Sequence, residues 1–172
     1  MSNIFYGTVW SEEELRKYRK MFDDWMGEPD NNSHSDRERL DITEDYPNPI
    51  VLLSEYKKFL SNRVATEFSK SFPNGYSIDA RLALYTKGKH YAWHHDATRQ
   101  HFHPHNSNWR RIISSVTYLN DDFEGGETEF EDQTIKPESG KTIIFPSYFT
   151  HPHTGRPVIK GSKKILCVHV WV

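Results

Sequence analysis

Hydrophobic residues follow two different periodicities along the chain, and the change occurs near Tyr76. Before this point, apolar side chains recur every three or four residues, as they do on one face of an amphipathic helix. Beyond it they occur in short runs separated by turn residues, as in the strands of an antiparallel sheet. The pattern therefore predicts helices first and then roughly eight short strands.

Two helices are predicted in the first half of the chain. The first begins at Ser11, which forms a capping box with Glu14, and it ends at Gly27. Its apolar face consists of Leu15, Tyr18, Phe22 and Trp25. The second runs from about Pro49 to Phe72. The polar segment 28–48 between them predicts a loop with a brief strand at ERLDIT, and this loop is either a plain connection or a lid over a site.

The strands define the fold class. One is predicted in NIFYGTV, and the others in 76–85, 90–96, 110–120, 125–131, 133–137, 141–146, 149–154 and 163–172. Such a chain is mainly β with flanking helices, a sandwich or jelly roll with the two N-terminal helices packed outside. We expect a single domain over residues 1–172, with helical support over 1–75 and a β-barrel core over 76–172.

Composition and charge exclude several classes of partner. The formal net charge is −2 and the basic residues form no stripe, so nothing attracts the chain to nucleic acid or to a membrane surface. No apolar run reaches the about 20 residues of a membrane span, and MSNIFYGTVW lacks a signal pattern. The single Cys167 excludes an internal disulfide. We expect a cytoplasmic protein; the pattern indicates no oligomeric state.

The candidate chemistry lies in the segment YTKGKHYAWHHD. In a strand, His94 and Asp96 share one face while His95 points away. With a histidine from a distant segment they give two imidazoles and one carboxylate, a set that caps one face of an octahedral metal and suits non-haem Fe(II). A helical phosphohydrolase site would use His95 with Asp96 instead, but the aromatic, strand-like flanks argue against a helix.

Several motifs follow one another between residues 80 and 172. They are Tyr85-x-x-Gly88-x-x-Tyr91-x-x-His94-x-Asp96, RIISSVTYLND, GGETEF, Pro137-x-x-Gly140, His153-x-x-x-Pro157 and Gly161-x-Lys163. In this combination the chain resembles the prolyl-4-hydroxylase-like branch of the Fe(II)/2-oxoglutarate-dependent dioxygenases. The resemblance implies a double-stranded β-helix, Fe(II), the cosubstrate 2-oxoglutarate, and dioxygen, and it leaves open a role for ascorbate. It also implies a peptide or protein substrate, with a prolyl residue as the leading target.

The same resemblance implies a ligand set of His94, Asp96 and one later histidine. Family members place that histidine four residues before a proline and ten before a basic residue, which favours His153 over His151. Lys163 is then the expected partner of the far carboxylate of 2-oxoglutarate, since a buried dicarboxylate needs its charge paired.

Further cosubstrate-binding residues are implied in the same way. Tyr85 and Ser114 stand where the family places hydroxyls near the same carboxylate, and Tyr91 is expected to line the pocket. Strand alternation predicts that Lys163 points inward while Lys164 points outward.

The chain departs from the family at His169, where members usually have a tryptophan. A histidine there either hydrogen-bonds the cosubstrate or a metal-bound water, or faces solvent. A second histidine group is either another metal site or a polar rim of the substrate entrance; it comprises His101, His103 and His105. Candidate substrate contacts follow it, namely Trp109, Arg110 and Arg111.

Other functions stay open at this point. One is a catalytically idle jelly roll that serves as a metal-binding or interaction module. Another is a cupin-like metalloprotein that uses His151 and His153 and has no need of 2-oxoglutarate. A third is an oxygenase of the same kind with a non-prolyl substrate. The intact ligand set together with Lys163 favours an oxygenase.

Overall fold

The computed structural model describes residues 4–23, 38–42, 77–97 and 109–172. Only the first of the two predicted N-terminal helices is found in these ranges. The second, at about 49–72, lies outside them, as do segment 101–105 and most of the predicted loop 28–48. No helix in the described part is long and apolar enough to cross a membrane.

The described elements are mostly strands. In chain order they are β1 Phe5–Thr8, α1 Glu12–Asp23, β2 Glu38–Ile42, β3 Ser77–Tyr85, β4 Tyr91–His94, β5 Arg111–Tyr118, β6 Glu124–Gly125, β7 Thr128–Phe130, β8 Thr134–Ile135, β9 Lys141–Pro146, β10 His153–Gly155, β11 Val158–Lys160 and β12 Lys163–Trp171.

Two antiparallel sheets face each other. The larger has the strand order β1-β9-β5-β12-β3-β2, and the smaller has the order β4-β10-β7-β8. One buried cluster joins them, because Phe130 and Ile135 of the smaller sheet pack with Phe145 and Ile165 of the larger one. This arrangement confirms the predicted β sandwich of the jelly-roll type.

Helix α1 covers the outer face of the larger sheet. Its capping box forms as predicted, with the backbone N–H of Ser11 donating to Glu14 Oε2 over 2.6 Å. The predicted apolar face is buried, and its described members are Leu15, Tyr18 and Phe22. They share a cluster with Leu166 and Val168 of β12. At about 1.5–3 kcal/mol for each large apolar side chain, this burial anchors the helix.

Some strand boundaries differ from the prediction. The segment predicted as one strand over 125–131 is divided between β6 and β7. Strand β11, which pairs with β6, was not predicted, because three residues are too few to show an alternation. The strand predicted over 90–96 ends at His94, and Asp96 lies on the bend that follows. The strand predicted over 149–154 begins only at His153, directly after Pro152, which cannot donate to a ladder.

We expect Gly125→Ala to lower the free energy of unfolding by about 3 kcal/mol. Gly125 has a φ of 79°, a conformation that costs other residues about 1–2 kcal/mol, and a Cβ there would overlap the carbonyl oxygen of Pro157. Gly88 is the matched control, since its φ is 84° but a Cβ there meets nothing within 4 Å. Urea unfolding of both alanine variants checks this. Equal losses of unfolding free energy in the two variants would mean that the contact with the Pro157 carbonyl contributes nothing.

Candidate active site

Three predicted ligands converge between the two sheets. His94 ends β4, Asp96 follows on the bend, and His153 opens β10 directly opposite His94 in the antiparallel ladder. One ligand atom from each lies within 4.8 Å of the others. Among the described residues no further histidine, cysteine or acidic side chain joins this group. A His-x-Asp pair and a distant histidine thus meet at one point.

Hydrogen bonds decide which imidazole nitrogen faces that point. His94 Nδ1 donates to the carbonyl of Ala92 over 2.8 Å, and His153 Nδ1 donates to the carbonyl of His151 over 3.1 Å. A carbonyl only accepts, so both Nδ1 atoms carry protons and both Nε2 atoms turn towards Asp96. They lie 3.2 and 4.0 Å from its carboxylate oxygens. Two imidazole nitrogens and a carboxylate that point at one another are donors that a divalent cation binds, so the donor set fits a metal.

The charges of the group also suit a cation. Burial alone would raise the pKa of Asp96, but the hydrogen bond with His94 and the influence of His153 outweigh it and hold that pKa well below its usual range. Burial lowers the pKa of His153 to about 4. An ionised carboxylate beside a neutral imidazole is the state that a metal requires.

Lys163 provides a positive charge in the same cleft. Its side chain is 3% exposed, and its Nζ donates to the carbonyl of Gly126 over 2.7 Å. Nζ also lies 5.2 and 5.5 Å from the ring centroids of Tyr85 and Tyr118. Burial lowers the pKa of Lys163 to about 8. Within the described ranges no carboxylate pairs with this ammonium group, so an anionic ligand would stabilise it.

One cleft connects the metal-binding group with Lys163. The cleft is partly open to solvent, and its empty space together with the adjoining open solvent amounts to about 580 Å³. It is lined by Arg81, Tyr85, Tyr91, His94, Asp96, Arg111, Val116, Thr128, His153, Gly155, Lys163, Ile165, Cys167 and His169. All the predicted metal-binding and cosubstrate-binding residues except Ser114 therefore line this cleft. The Ser114 hydroxyl instead shares a 2.7 Å hydrogen bond with Ser147.

The other candidate residues differ in whether they line the cleft. His151 is half-buried and its Nδ1 pairs with Thr150, so it stays apart from the metal-binding group. Of the candidate entrance residues, Arg111 is buried and lines the cleft, whereas Arg110 is exposed. Lys164 points away from the cleft, with its Nζ 5.8 Å from the centroid of the Phe22 ring.

Sequence reasoning missed a charged cluster on the other wall of the cleft. Its centre is Asp79, whose Oδ1 accepts from Trp171 Nε1 over 2.9 Å and whose Oδ2 accepts from Arg81 over 2.6 Å. Burial raises the pKa of Asp79, but His169 and the two arginines outweigh it and lower that pKa well below its usual range. The only signal was the pair Asp79 and Arg81 on one face of an otherwise apolar strand.

Comparison with known families gives one match that covers most of the β region. The model of the 2OG-Fe(II) oxygenase superfamily matches residues 80–172. This stretch contains every residue of the metal-binding group and Lys163.

Two of the similar proteins are prolyl hydroxylases by name. A candidate prolyl 4-hydroxylase of Acanthamoeba polyphaga mimivirus is 29% identical over 132 residues, which is 69% of this chain and 51% of that protein. Human prolyl 3-hydroxylase 2 is 43% identical over 60 residues, 31% of this chain and 8% of that protein. The chain thus spans about half the length of the first and a small part of the second.

The fold has a solved counterpart over its whole length. The 2-oxoglutarate complex of a collagen prolyl hydroxylase from Paramecium Bursaria Chlorella virus-1 superposes with a TM-score of 0.74. The match covers 98% of this chain and 96% of that chain, at 20% sequence identity. At this identity the likeness establishes the fold.

Proposed function

Because the chain belongs to the 2OG-Fe(II) oxygenase superfamily, we propose that it is a 2-oxoglutarate-dependent dioxygenase that hydroxylates a prolyl residue of a peptide or protein. One observation carries the proposal. A single cleft has a two-histidine, one-carboxylate group at one end and, at the other, a buried ammonium group that has no carboxylate partner among the described residues. An Fe(II) site and a dicarboxylate site side by side are what this chemistry needs.

The metal ligands are His94, Asp96 and His153. Their hydrogen bonds to backbone carbonyls hold both imidazoles with Nε2 inward before any metal arrives, which reduces the reorganisation on binding. Bound Fe(II) would supply the redox chemistry, in which dioxygen and 2-oxoglutarate yield succinate, CO2 and a hydroxylated substrate. A role for ascorbate stays a prediction.

The cosubstrate is held by Lys163 and its neighbours. The ammonium group pairs with the distal carboxylate of 2-oxoglutarate, and the Tyr85 ring packs beside it. Tyr91 packs on His94, with ring centroids 3.9 Å apart, and so lines the passage between the two ends of the cleft. The Ser114 hydroxyl is bonded to Ser147 and does not line the cleft, so its contact with the carboxylate stays a prediction.

An anaerobic titration with Fe(II) and 2-oxoglutarate tests the proposal. The chelate gives a visible charge-transfer band, which we expect in the native protein and not in His153→Ala. His151→Ala is the matched control, because this neighbouring histidine lies outside the ligand group and the variant should keep the band. Iron binding without a band in the native protein would reject the oxygenase and favour a cupin-like or structural module.

The prolyl target rests on the names of the relatives and needs its own test. We expect succinate release to rise with proline-containing peptides and the peptide to gain one oxygen atom in mass spectrometry. Matched peptides with alanine or lysine in place of proline are the controls. Faster, oxygen-adding turnover of the lysine peptide would leave the oxygenase assignment intact and replace the prolyl one.

We expect 2-oxoglutarate binding to weaken above pH 8. The cosubstrate pairs with charged Lys163, whose pKa in the free protein is lowered by burial to about 8. Below this pH the lysine is already charged and affinity is constant; above it, binding must take up a proton, so affinity falls about tenfold per pH unit. Calorimetry of the Mn(II)-loaded protein measures the affinity for 2-oxoglutarate at each pH. Repeating it in buffers of different ionisation heat measures the uptake of the proton. Lys163→Arg, always charged, should remove the pH dependence.

A further inference from the structure

His169 stands beside the proposed metal ligands without being one of them. It lies on β12, is 6% exposed and lines the cleft. Its Nδ1 pairs with Asp79 Oδ1 over 3.1 Å, and its Nε2 lies 3.9 Å from Asp96 Oδ2. The ring therefore links the charged cluster on one wall with the proposed metal ligand on the other.

The orientation of the His169 ring is fixed by Asp79. That carboxylate also accepts from Trp171 and Arg81, and Arg111 Nη2 lies 3.5 Å from its Oδ2. With this many donors around it, Asp79 is an anion that can only accept, so Nδ1 of His169 carries the proton. An imidazole with its single proton on Nδ1 has an acceptor lone pair on Nε2, and Nε2 is the atom that faces Asp96.

Two acceptors then face each other across a short gap. The distance of 3.9 Å between His169 Nε2 and Asp96 Oδ2 is too long for a direct hydrogen bond. It suits one bridging atom that makes two bonds of about 2.8 Å with a bend between them. Neither end has a hydrogen to give, so the bridge is either a cation or a group that supplies two hydrogens. His169 lies outside the group whose ligand atoms are all within 4.8 Å of one another, which favours a hydrogen donor over the metal ion itself. A hydroxyl group has one hydrogen, whereas water has two.

We propose that His169 and Asp96 together bind a water molecule on the open side of the metal site, each accepting one of its hydrogens. With both hydrogens held, the oxygen lone pairs of this water face the metal. His169 is therefore a positioning residue that retains water at the site until substrate displaces it. The inference rests on the proposed function, because it takes His94, Asp96 and His153 as the ligands.

Co(II) in place of Fe(II) reports this water without turnover. Six-coordinate Co(II) absorbs visible light weakly, and loss of one ligand makes the absorption several-fold stronger. The spectra are recorded with 2-oxoglutarate bound. We expect weak absorption in the native protein and a several-fold increase in His169→Phe. His169→Gln, whose side-chain oxygen can accept the same hydrogen, should stay close to the native protein.

A second measurement needs no variant. Mn(II) with 2-oxoglutarate in the native protein should speed the relaxation of solvent water protons, as an exchanging bound water does. Absence of this effect would overturn the role of His169, and so would equal Co(II) spectra for the native protein and His169→Phe. The oxygenase assignment would then still stand if the Fe(II) titration gives the charge-transfer band. Failure of the native protein to bind either metal would instead reject the ligand set itself.

Discussion

We expect Asp96→Ala to abolish Fe(II)-dependent turnover and to leave the β sandwich folded. Asp96 is the anionic member of the proposed ligand set, and its carboxylate lies between the Nε2 atoms of His94 and His153. Its loss should lower Fe(II) affinity by more than the roughly 10–100-fold that loss of an outer-shell partner costs. The unfolding free energy should change by only about 1–2 kcal/mol, as for most single substitutions.

Anaerobic Fe(II) titration measures the iron affinity of the variant, and circular dichroism shows whether it is folded. Glu131→Ala is the matched control, because it removes an exposed carboxylate away from the cleft. It should leave both iron affinity and turnover unchanged. Full turnover by Asp96→Ala would remove this carboxylate from the ligand set.

We expect Lys163→Met to raise the dissociation constant of 2-oxoglutarate at least about 100-fold at neutral pH. Removing one partner of a buried ion pair costs about 3 kcal/mol or more, and each 1.4 kcal/mol is a factor of ten. Methionine keeps most of the side-chain volume, so the variant should fold. Iron affinity without cosubstrate should stay native, because Lys163 is not among the residues of the metal-binding group.

Lys164→Met is the control for this variant. It removes the same charge one residue along the chain, from a side chain that lies over Phe22 on the opposite face of the sheet. Calorimetric titration of the Mn(II)-loaded proteins with 2-oxoglutarate compares the two. Equal losses of affinity would mean that the distal carboxylate binds elsewhere.

The sequence predicts those parts of the site that lie in local patterns. The spacing of His94 and Asp96 along a strand indicates a shared target, and strand alternation correctly separates Lys163 from Lys164. The capping box at Ser11 is equally local, and it forms as predicted. In each case the deciding interaction lies within a few residues of the chain.

The missed features depend on pairing between distant strands. Asp79 and His169 are 90 residues apart and meet only because β3 and β12 are neighbours in the larger sheet. No spacing along the chain signals such a contact. The hydroxyl of Ser114 likewise turned to Ser147, 33 residues away, a choice that local sequence does not encode.

The two ends of the cleft differ in how easily they can open. Lys163 and His169 lie on β12, a nine-residue strand paired on both sides in the middle of the larger sheet, so exposing them requires most of the domain to unfold. His94 and His153 lie on strands of four and three residues in the smaller sheet. Such short ladders open locally at lower free energy. We therefore expect bound iron to exchange with the surroundings through brief openings of the smaller sheet, while the wall proposed to bind the cosubstrate stays folded.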